Sequence, residues 1–263
     1  MKHKTTIFLT VLLLAVLFAL PSCSKSNEQI KAIRDRGVLR VGVKVDVPRF
    51  GYLNPDSGEM EGIEIDLAGA IALDILGDEN AVKFTGITAQ TRGPLLDNGE
   101  IDIVIATFTI TEERKQHFSF SQSYYTDELG YLVRAGSSIT RPEDLNGVNA
   151  GVVQAGTAKD AFADECVKLG IEVAFSEYAS YPEVKAALAS GKVDVFIADK
   201  SILYGYLDDS SMLLDAGFNP QQYGIASRLG SDKLIERINA LLVSMEKNNA
   251  LDELYVKWGL AAG

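Results

Sequence analysis

Apolar and polar positions along the chain form two kinds of segment that alternate. Short segments such as VLRVGVKVD (residues 38–46), AVKFTGI (81–87) and IDIVIATF (101–108) have the alternating or continuous apolar pattern of buried strands. Longer segments such as GIEIDLAGAIALDIL (62–76) place apolar residues at helical spacing. Strands that alternate with helices in this way predict an α/β protein with mainly parallel strands.

The same pattern occurs a second time along the chain. When Gly99 is aligned with Gly191, the segment LLDNGEIDIVIAT matches ALASGKVDVFIAD, and each has a helix end, a glycine stop and a buried strand. The segments RVGVKVD and NAGVVQAG form a second, weaker pair in the same order. Two such pairs predict two lobes of related architecture.

The lobe boundaries are predicted where strands run between turn-forming residues, near residues 120–134 and 213–227. We assign residues 30–125 plus 219–263 to lobe 1 and the inserted residues 126–218 to lobe 2. Two crossovers between the lobes would form a hinge.

Residues 1–22 are predicted to be a signal peptide and not part of the fold. Their apolar run from Ile7 to Leu20 is 14 residues long, whereas a membrane-spanning helix needs roughly 20. The LPSC sequence that follows resembles the lipobox of bacterial lipoproteins, which predicts lipidation of Cys23 and a polar tether over residues 23–29. The alternative is an ordinary signal peptide with a chance cysteine, since Pro21 is unusual at its position.

The charge of the chain argues against a nucleic-acid partner. The formal charge is -11, and loss of the signal peptide would remove two lysines and no acid, which gives -13. Phosphate binding needs clustered positive charge, and no run of Lys and Arg follows the first residues. Any anion site must therefore be local.

Metal and cofactor chemistry has little support in the sequence. His117 is the single histidine after the signal peptide, so a histidine-rich zinc site is excluded. No G-x-G-x-x-G or P-loop motif is present, and we expect no cofactor. Cys166 would have no disulfide partner if Cys23 is lipidated, and its helical spacing with Phe162 predicts a core position.

Thr107 and Asp199 end equivalent strands of the two repeats, which predicts a cleft between the lobes. Ligands of open α/β sheets bind beyond the carboxyl ends of the strands. Lobe 1 offers hydroxyls and Arg114 there, whereas lobe 2 offers a carboxylate. The turn at Thr157 leads into a helix whose N-terminus favours a carboxylate. An α-amino acid carries the carboxylate and the ammonium that these groups would bind.

Five segments of the chain together resemble one family. They are GVLRVGVKVDVPRFGY, GEMEGIEIDLAGAIA, TRGPLLDNGEIDIVIATFTITEERKQHFSFSQSYY, GVVQAGTAKDAF and GKVDVFIADKSIL. The family is the polar amino-acid class of extracellular solute-binding proteins that serve ABC transporters, and more narrowly its aspartate/glutamate-binding branch. The resemblance implies a monomer with the two-lobed, type II periplasmic-binding-protein-like fold, a ligand in the interlobe cleft, and an ABC transporter permease as partner.

The resemblance also implies a role for each residue at the strand ends. Arg114 would bind the α-carboxylate of the ligand through its planar fork, with Thr109 and the turn at Thr157 as further donors. Asp199 would bind the α-ammonium beside the backbone or hydroxyl of Thr107. Without the resemblance, Arg114 would be interpreted as a surface residue paired with one of the two glutamates before it.

Two further residues, Arg92 and Lys44, concern the side chain of the ligand. Arg92 stands where relatives with other ligands can carry an apolar residue, and Lys44 follows a strand that ends at the same cleft, so two cations could converge there. The alternative for Lys44 is a solvated strand end paired with Asp46. Tyr181 is expected to supply a hydroxyl from lobe 2.

These features predict a lipid-anchored binding protein on the outer face of the membrane or in the periplasm. It would capture aspartate or glutamate and present it to a permease. The alternative is an enzyme similar to cyclohexadienyl dehydratases, which have the same two-lobed form, but catalysis would need an uncommitted general acid or base. A receptor that signals would share the same ligand chemistry.

Overall fold

The structure is a computed structural model that describes residues 25–260, with side chains from residue 28 onward. Within this range the helices are α1 (Lys25–Arg36), α2 (Ile63–Leu76), α3 (Arg92–Asp97), α4 (Glu112–Lys115), α5 (Ala158–Leu169), α6 (Tyr181–Ala189), α7 (Lys200–Tyr206), α8 (Asp232–Lys247) and α9 (Ala250–Lys257), with a 3-10 turn at Pro142–Leu145. The strands are β1 (Leu39–Val43), β2 (Asp46–Val47), β3 (Gly51–Leu53), β4 (Met60–Glu61), β5 (Val82–Gly86), β6 (Ile103–Ile105), β7 (Phe118–Arg134), β8 (Asn149–Val153), β9 (Ala174–Tyr178), β10 (Val195–Asp199), β11 (Ser211–Leu213) and β12 (Phe218–Arg228).

The main sheet has the strand order β5-β1-β6-β12-β7-β10-β8-β9, with β11 paired to β7. Strands β5, β1 and β6 are parallel to one another, and so are β10, β8 and β9. The long strands β7 and β12 lie antiparallel between these two groups. The predicted α/β class is confirmed, and the sheet is mixed because the two central strands are antiparallel to their neighbours.

The two parallel groups repeat one arrangement of backbone and side chain. Gly99 (φ 77°) and Gly191 (φ 73°) each end a helix in the left-handed conformation, which glycine adopts without steric cost. Just before the next strand, Asp102 accepts a hydrogen bond from the Arg40 backbone of β1 at 2.9 Å. Asp194 likewise accepts one from the backbone of the first residue of β8 at 3.0 Å. The predicted repeat is therefore present in hydrogen bonding as well as in strand order.

Strands β7 and β12 connect the two groups. β7 has 17 residues and β12 has 11, and the two pair with register shifts near Tyr223 and Gly224. The second half of β7 pairs with β10, and the end of β12 pairs with β6. We propose that the lobe boundaries predicted at residues 125/126 and 218/219 lie within these strands.

The N-terminal assignment needs one correction. Residues 25–29, predicted as part of the tether, belong to α1. Gln29 is buried, and its side chain donates to the Asp102 carbonyl at 3.1 Å, a contact between residues distant in sequence. The predicted signal peptide and Cys23 lie outside the described residues. Across residues 25–260, no helix is both long and apolar enough to span a membrane.

The core positions predicted for Phe162 and Cys166 in α5 are confirmed. Ala158, Phe162 and Cys166 follow one another at four-residue spacing and are all buried. The ring of Phe162 contacts Tyr131 and Phe218 at centroid distances of 5.7 and 5.8 Å. The Cys166 thiol is buried in this cluster, so it serves as a small apolar side chain.

Candidate ligand-binding cleft

A cleft of about 390 Å³, its open mouth included, lies at the carboxyl ends of β6, β8 and β10. Its position follows from the topology, because the parallel strands of both groups end there. Seven of the eight predicted ligand-binding residues line it: Arg92, Thr107, Thr109, Arg114, Thr157, Tyr181 and Asp199. The other lining residues are Ala89, Val153, Gly156, Ala158, Ile197 and Ala198.

The segment after β6 contributes Thr107, Phe108 and Thr109, all of them buried. Thr107 has a φ of 44°, a left-handed conformation that a β-branched residue rarely adopts. Its backbone N–H donates to Glu64 Oε1 at 2.5 Å, so this N–H is not available to a ligand. The hydroxyl and carbonyl of Thr107 remain for the cleft.

Two guanidinium groups lie against one aromatic ring. The Cζ atoms of Arg92 and Arg114 are 3.7 and 4.8 Å from the centroid of the Phe108 ring. Arg114 is held by local structure, because Thr111 caps α4 and accepts from the Arg114 backbone at 3.1 Å. Arginine stacks on an aromatic face while its N–H groups stay free to bind, so Phe108 orients both cations.

Neither guanidinium forms an ion pair within the described part of the chain. Arg114 Nη1 donates to the Thr109 carbonyl at 2.8 Å, and both arginines are 3.4 Å from the Ala155 carbonyl. Burial, and then the Arg114 charge, lower the pKa of Arg92 to about 9. Burial also lowers the pKa of Arg114. The arginine ion pairs of residues 25–260 involve Arg36, Arg40, Arg134, Arg141 and Arg237 instead.

Asp199 is the single carboxylate among the residues that line the cleft. It ends β10 at the N-terminus of α7, and only 7% of its surface is exposed. Its Oδ1 atom is buried and has no hydrogen-bond partner among the described residues. Burial, and then the nearby Asp127 charge, raise the pKa of Asp199 to about 8. A ligand ammonium would supply the missing partner and favour the ionised carboxylate.

Asp127 and Tyr223, from the two crossover strands, hold the N-terminus of α7 next to Asp199. Asp127 Oδ2 accepts from the Ser201 backbone at 3.1 Å and from the Ser201 hydroxyl, and so it caps α7. The Tyr223 hydroxyl donates to the same oxygen at 3.2 Å. Sequence reasoning missed both residues, because the contacts join positions 74 and 96 residues apart.

Thr157 lies at the start of α5, as predicted from the Gly-Thr turn. Its hydroxyl donates to Gln221 Oε1 of β12 at 2.8 Å and does not cap its own helix. Ala155, two residues earlier, has a φ of 56°. Its carbonyl faces the guanidinium groups of Arg92 and Arg114. This turn therefore brings a helix N-terminus and a backbone acceptor to the cleft.

Lys44 is the one predicted residue that does not line the cleft. Its Nζ lies 3.0 Å from Asp46 Oδ1 and 5.1 Å from the centroid of the Tyr181 ring. The pairing with Asp46 is the alternative that the sequence left open. Lys44 is only 3% exposed, so it forms a buried cationic support behind Tyr181.

Several contacts join the two sides of the cleft. The Gln90 side chain donates to the Gln154 side chain at 2.6 Å, and the Tyr206 hydroxyl donates to the Asp46 carbonyl. Together with the two arginine contacts to Ala155, they hold the two sides of the cleft against each other.

The matched family model is that of bacterial extracellular solute-binding proteins, family 3, over residues 39–261. The chain belongs to this family, and its fold is the type II periplasmic-binding-protein fold. A TM-score of 0.77 relates it to the ancestral amino acid-binding protein AncCDT-1, a precursor of cyclohexadienyl dehydratase. The two are 29% identical, and the match covers 87% of this chain and 98% of that one.

Two characterised relatives are similar over most of their length. The ABC transporter glutamine-binding protein GlnH of Bacillus subtilis (strain 168) is 39% identical over 240 residues, which cover 90% of this chain and 86% of that protein. The glutamine-binding protein of Geobacillus stearothermophilus is 37% identical over 252 residues, which cover 86% of this chain and 95% of that protein.

Proposed function

We propose that this chain binds an acidic amino acid, aspartate or glutamate, in the cleft and delivers it to the permease of an ABC transporter. Family membership supports solute capture in general. The names of the relatives support an amino acid as the solute. The acidic class of ligand is supported by the charges of the cleft.

The α-groups of the ligand would be bound from both sides. Arg114, half-buried and stacked on Phe108, would bind the α-carboxylate through two parallel hydrogen bonds. Asp199 would bind the α-ammonium through its partnerless Oδ1. Thr107, Thr109, Thr157 and Tyr181 are the other lining residues with polar side chains.

Arg92 is the observation that favours an acidic side chain. The cleft is lined by two guanidinium groups and one carboxylate. The α-groups of an amino acid are neutral as a pair, so they balance Arg114 and Asp199 and leave Arg92 without an anionic partner among the lining residues. A second carboxylate on the ligand balances it, and an uncompensated buried charge is costly.

Glutamine is the second candidate, and the two relatives named glutamine-binding proteins favour it. Its amide oxygen could accept from Arg92 without neutralising it. Isothermal titration calorimetry with aspartate, glutamate, asparagine and glutamine separates the candidates. We expect each acid to bind at least about tenfold more tightly than its amide. Equal or tighter binding of glutamine would exclude the acidic assignment.

A cleft enzyme is the remaining alternative, and the raised pKa of Asp199 favours it, since a carboxyl group that titrates near neutral pH is suited to acid or base catalysis. Binding of an ammonium would commit this carboxylate. Quantitative recovery of unchanged ligand after prolonged incubation with the protein would support binding alone, whereas a new product would support the enzyme.

We also propose that the protein is exported as a monomer and anchored through lipidated Cys23. Several acyl chains on one cysteine provide stable attachment, so Cys23→Ser is expected to move the protein from the membrane fraction to the soluble fraction. Wild-type protein found wholly in the soluble fraction after export would contradict the anchor.

A further inference from the structure

Glu64 is a fully buried carboxylate that does not line the cleft. It is the second residue of α2, where the helix dipole favours a negative charge. Its backbone N–H donates to the Phe50 carbonyl at 3.0 Å, which fixes the start of the helix against the neighbouring turn. Gly51 leaves room for the carboxylate, since a Cβ there would lie 3.2 Å from Glu64 Oε2 and 2.7 Å from the Lys44 carbonyl.

The two oxygens of this carboxylate have different surroundings. Oε1 accepts from the Thr107 backbone N–H and from the Tyr124 hydroxyl, both at 2.5 Å. Oε2 is buried without a hydrogen-bond partner among the described residues. Both donors therefore depend on a single oxygen. One of them belongs to the cleft, and the other belongs to β7, which connects the two halves of the sheet.

We propose that Glu64 is a positioning residue for ligand binding, because its Oε1 holds Thr107 in the left-handed conformation that forms the wall of the cleft. The proposal rests on the proposed function, in that Thr107 contacts the α-groups of the ligand. Without the acceptor, the Thr107 N–H would be a buried unpaired donor. The peptide would then rotate toward an ordinary φ and turn its carbonyl and hydroxyl away from the ligand.

The acceptor, and not the negative charge, is the feature that matters. Burial raises the pKa of Glu64 to about 7, and Oε1 can accept both hydrogen bonds whether or not Oε2 carries a proton. Glutamine presents the same acceptor in the same shape, with its NH2 group in the place of Oε2. Methionine has similar length and no comparable acceptor. The pair Glu64→Gln and Glu64→Met thus separates hydrogen bonding from packing.

Asp102 offers a matched control. It precedes β6, whereas Thr107 follows the other end of that strand. It is also a buried carboxylate of the first group of strands, and it accepts from the Arg40 backbone just before β6 begins. Asp102→Leu removes a buried acceptor and two ion pairs, with Arg36 and Arg40, without touching the cleft. It is expected to lower the melting temperature and to leave ligand affinity within about threefold of wild type.

The test measures dissociation constants for glutamate and glutamine with each full-chain variant, and the amide proton shift of Thr107 by NMR. Glu64→Met should weaken both ligands by at least about tenfold and by the same factor, while Glu64→Gln should stay within about threefold. The downfield Thr107 amide resonance expected for a short hydrogen bond should persist in Glu64→Gln and move upfield in Glu64→Met.

Four results would overturn the proposal. Glu64→Met could bind as wild type, Glu64→Gln could lose as much affinity as Glu64→Met, or Asp102→Leu could weaken binding as strongly. A loss confined to the acidic ligand would also contradict a role through the α-groups. The acidic assignment fails separately, when wild type does not prefer glutamate over glutamine, and the Thr107 amide shift still tests Glu64 in that case.

Discussion

The two strand ends that meet at the cleft have the same backbone plan and opposite chemistry. β6 and β10 both follow a left-handed glycine and an aspartate that binds a neighbouring strand. Beyond β6 the chain continues into buried hydroxyls with two arginines packed on Phe108. β10 itself ends in Asp199, next to the α7 N-terminus that Asp127 of the crossover strand β7 caps. The repeated backbone arrangement places side chains of both strand ends at the cleft, and the two repeats differ in the charges of those side chains.

The charged side chains on both walls of the cleft are only partly satisfied within the protein. Across the described residues, Arg92 and Arg114 have carbonyl partners alone, and Asp199 has a partnerless oxygen. The charges of the two walls do not balance each other, because the lining residues include two arginines and one carboxylate. A ligand with two carboxylates and one ammonium supplies the complement on each side. We therefore interpret the asymmetry between the repeats as the source of ligand specificity.

The largest expected effect comes from removing either charge that meets the α-groups. Arg114→Ala would leave the α-carboxylate without its fork, and Asp199→Ala would leave the ammonium unpaired. Each change is expected to weaken binding by roughly 2 to 5 kcal/mol, the range for truncating one side of a buried charge pair. Calorimetric titration with glutamate measures the loss.

Thermal melting without ligand serves as the control for these two variants. The melting temperature should change little, because neither residue has an ion-pair partner in the described part of the chain. Affinities close to wild type in both variants would mean that the ligand binds elsewhere.

The next largest effect is expected in the pH dependence of ligand affinity, because Asp199 must be ionised to bind the ammonium. Burial raises the pKa of Asp199 to about 8, so the group is mostly protonated at pH 6, whereas ammonium binding requires the ionised form. Binding should therefore release a proton, and affinity should rise by up to about tenfold per pH unit between pH 6 and pH 8, then level off. Titrations in buffers of different ionisation enthalpy count the proton. An affinity that falls over this range would contradict an Asp199–ammonium contact.

The smallest effect is expected at Lys44, which stands behind the cleft wall. It is paired with Asp46, so Lys44→Met should lower the preference for glutamate over glutamine by only about threefold. Lys83→Met, an exposed lysine of β5 in the same group of strands, is the matched control and should leave the preference unchanged. A tenfold fall in the Lys44 variant would place its ammonium in direct contact with the ligand.

Some features of this site follow from local pattern and others do not. Thr107 and Asp199 could be predicted because strand ends and repeats are visible in the sequence, and topology then brings them together. Glu64 and Asp127 could not, since their hydrogen bonds reach across 43 and 74 residues. Gln29 shows the same limit, because a polar stretch after a predicted signal peptide indicates a tether, while its contact with Asp102 makes it part of the fold.

Phe108 was missed for a different reason. Its place between two threonines predicts an ordinary buried residue, and the ring is indeed packed against Phe118 and Phe120. Only the fold reveals that the same ring also lies under two guanidinium groups. A residue that serves the core and the site together has no separate signature in a single sequence.

The central claim, that Arg92 meets a carboxylate on the ligand side chain, is tested most directly by the ratio of glutamine to glutamate dissociation constants in wild type and in Arg92→Met. The variant keeps an unbranched side chain over Phe108 and leaves the α-group contacts intact. Arg40→Met, which removes an arginine paired with Asp102 outside the cleft, is the control. We expect the ratio to fall by at least about tenfold, or roughly 1.4 kcal/mol, in Arg92→Met and to stay constant in Arg40→Met. An unchanged ratio in Arg92→Met, with binding retained, would contradict the acidic-ligand assignment and favour a neutral polar amino acid.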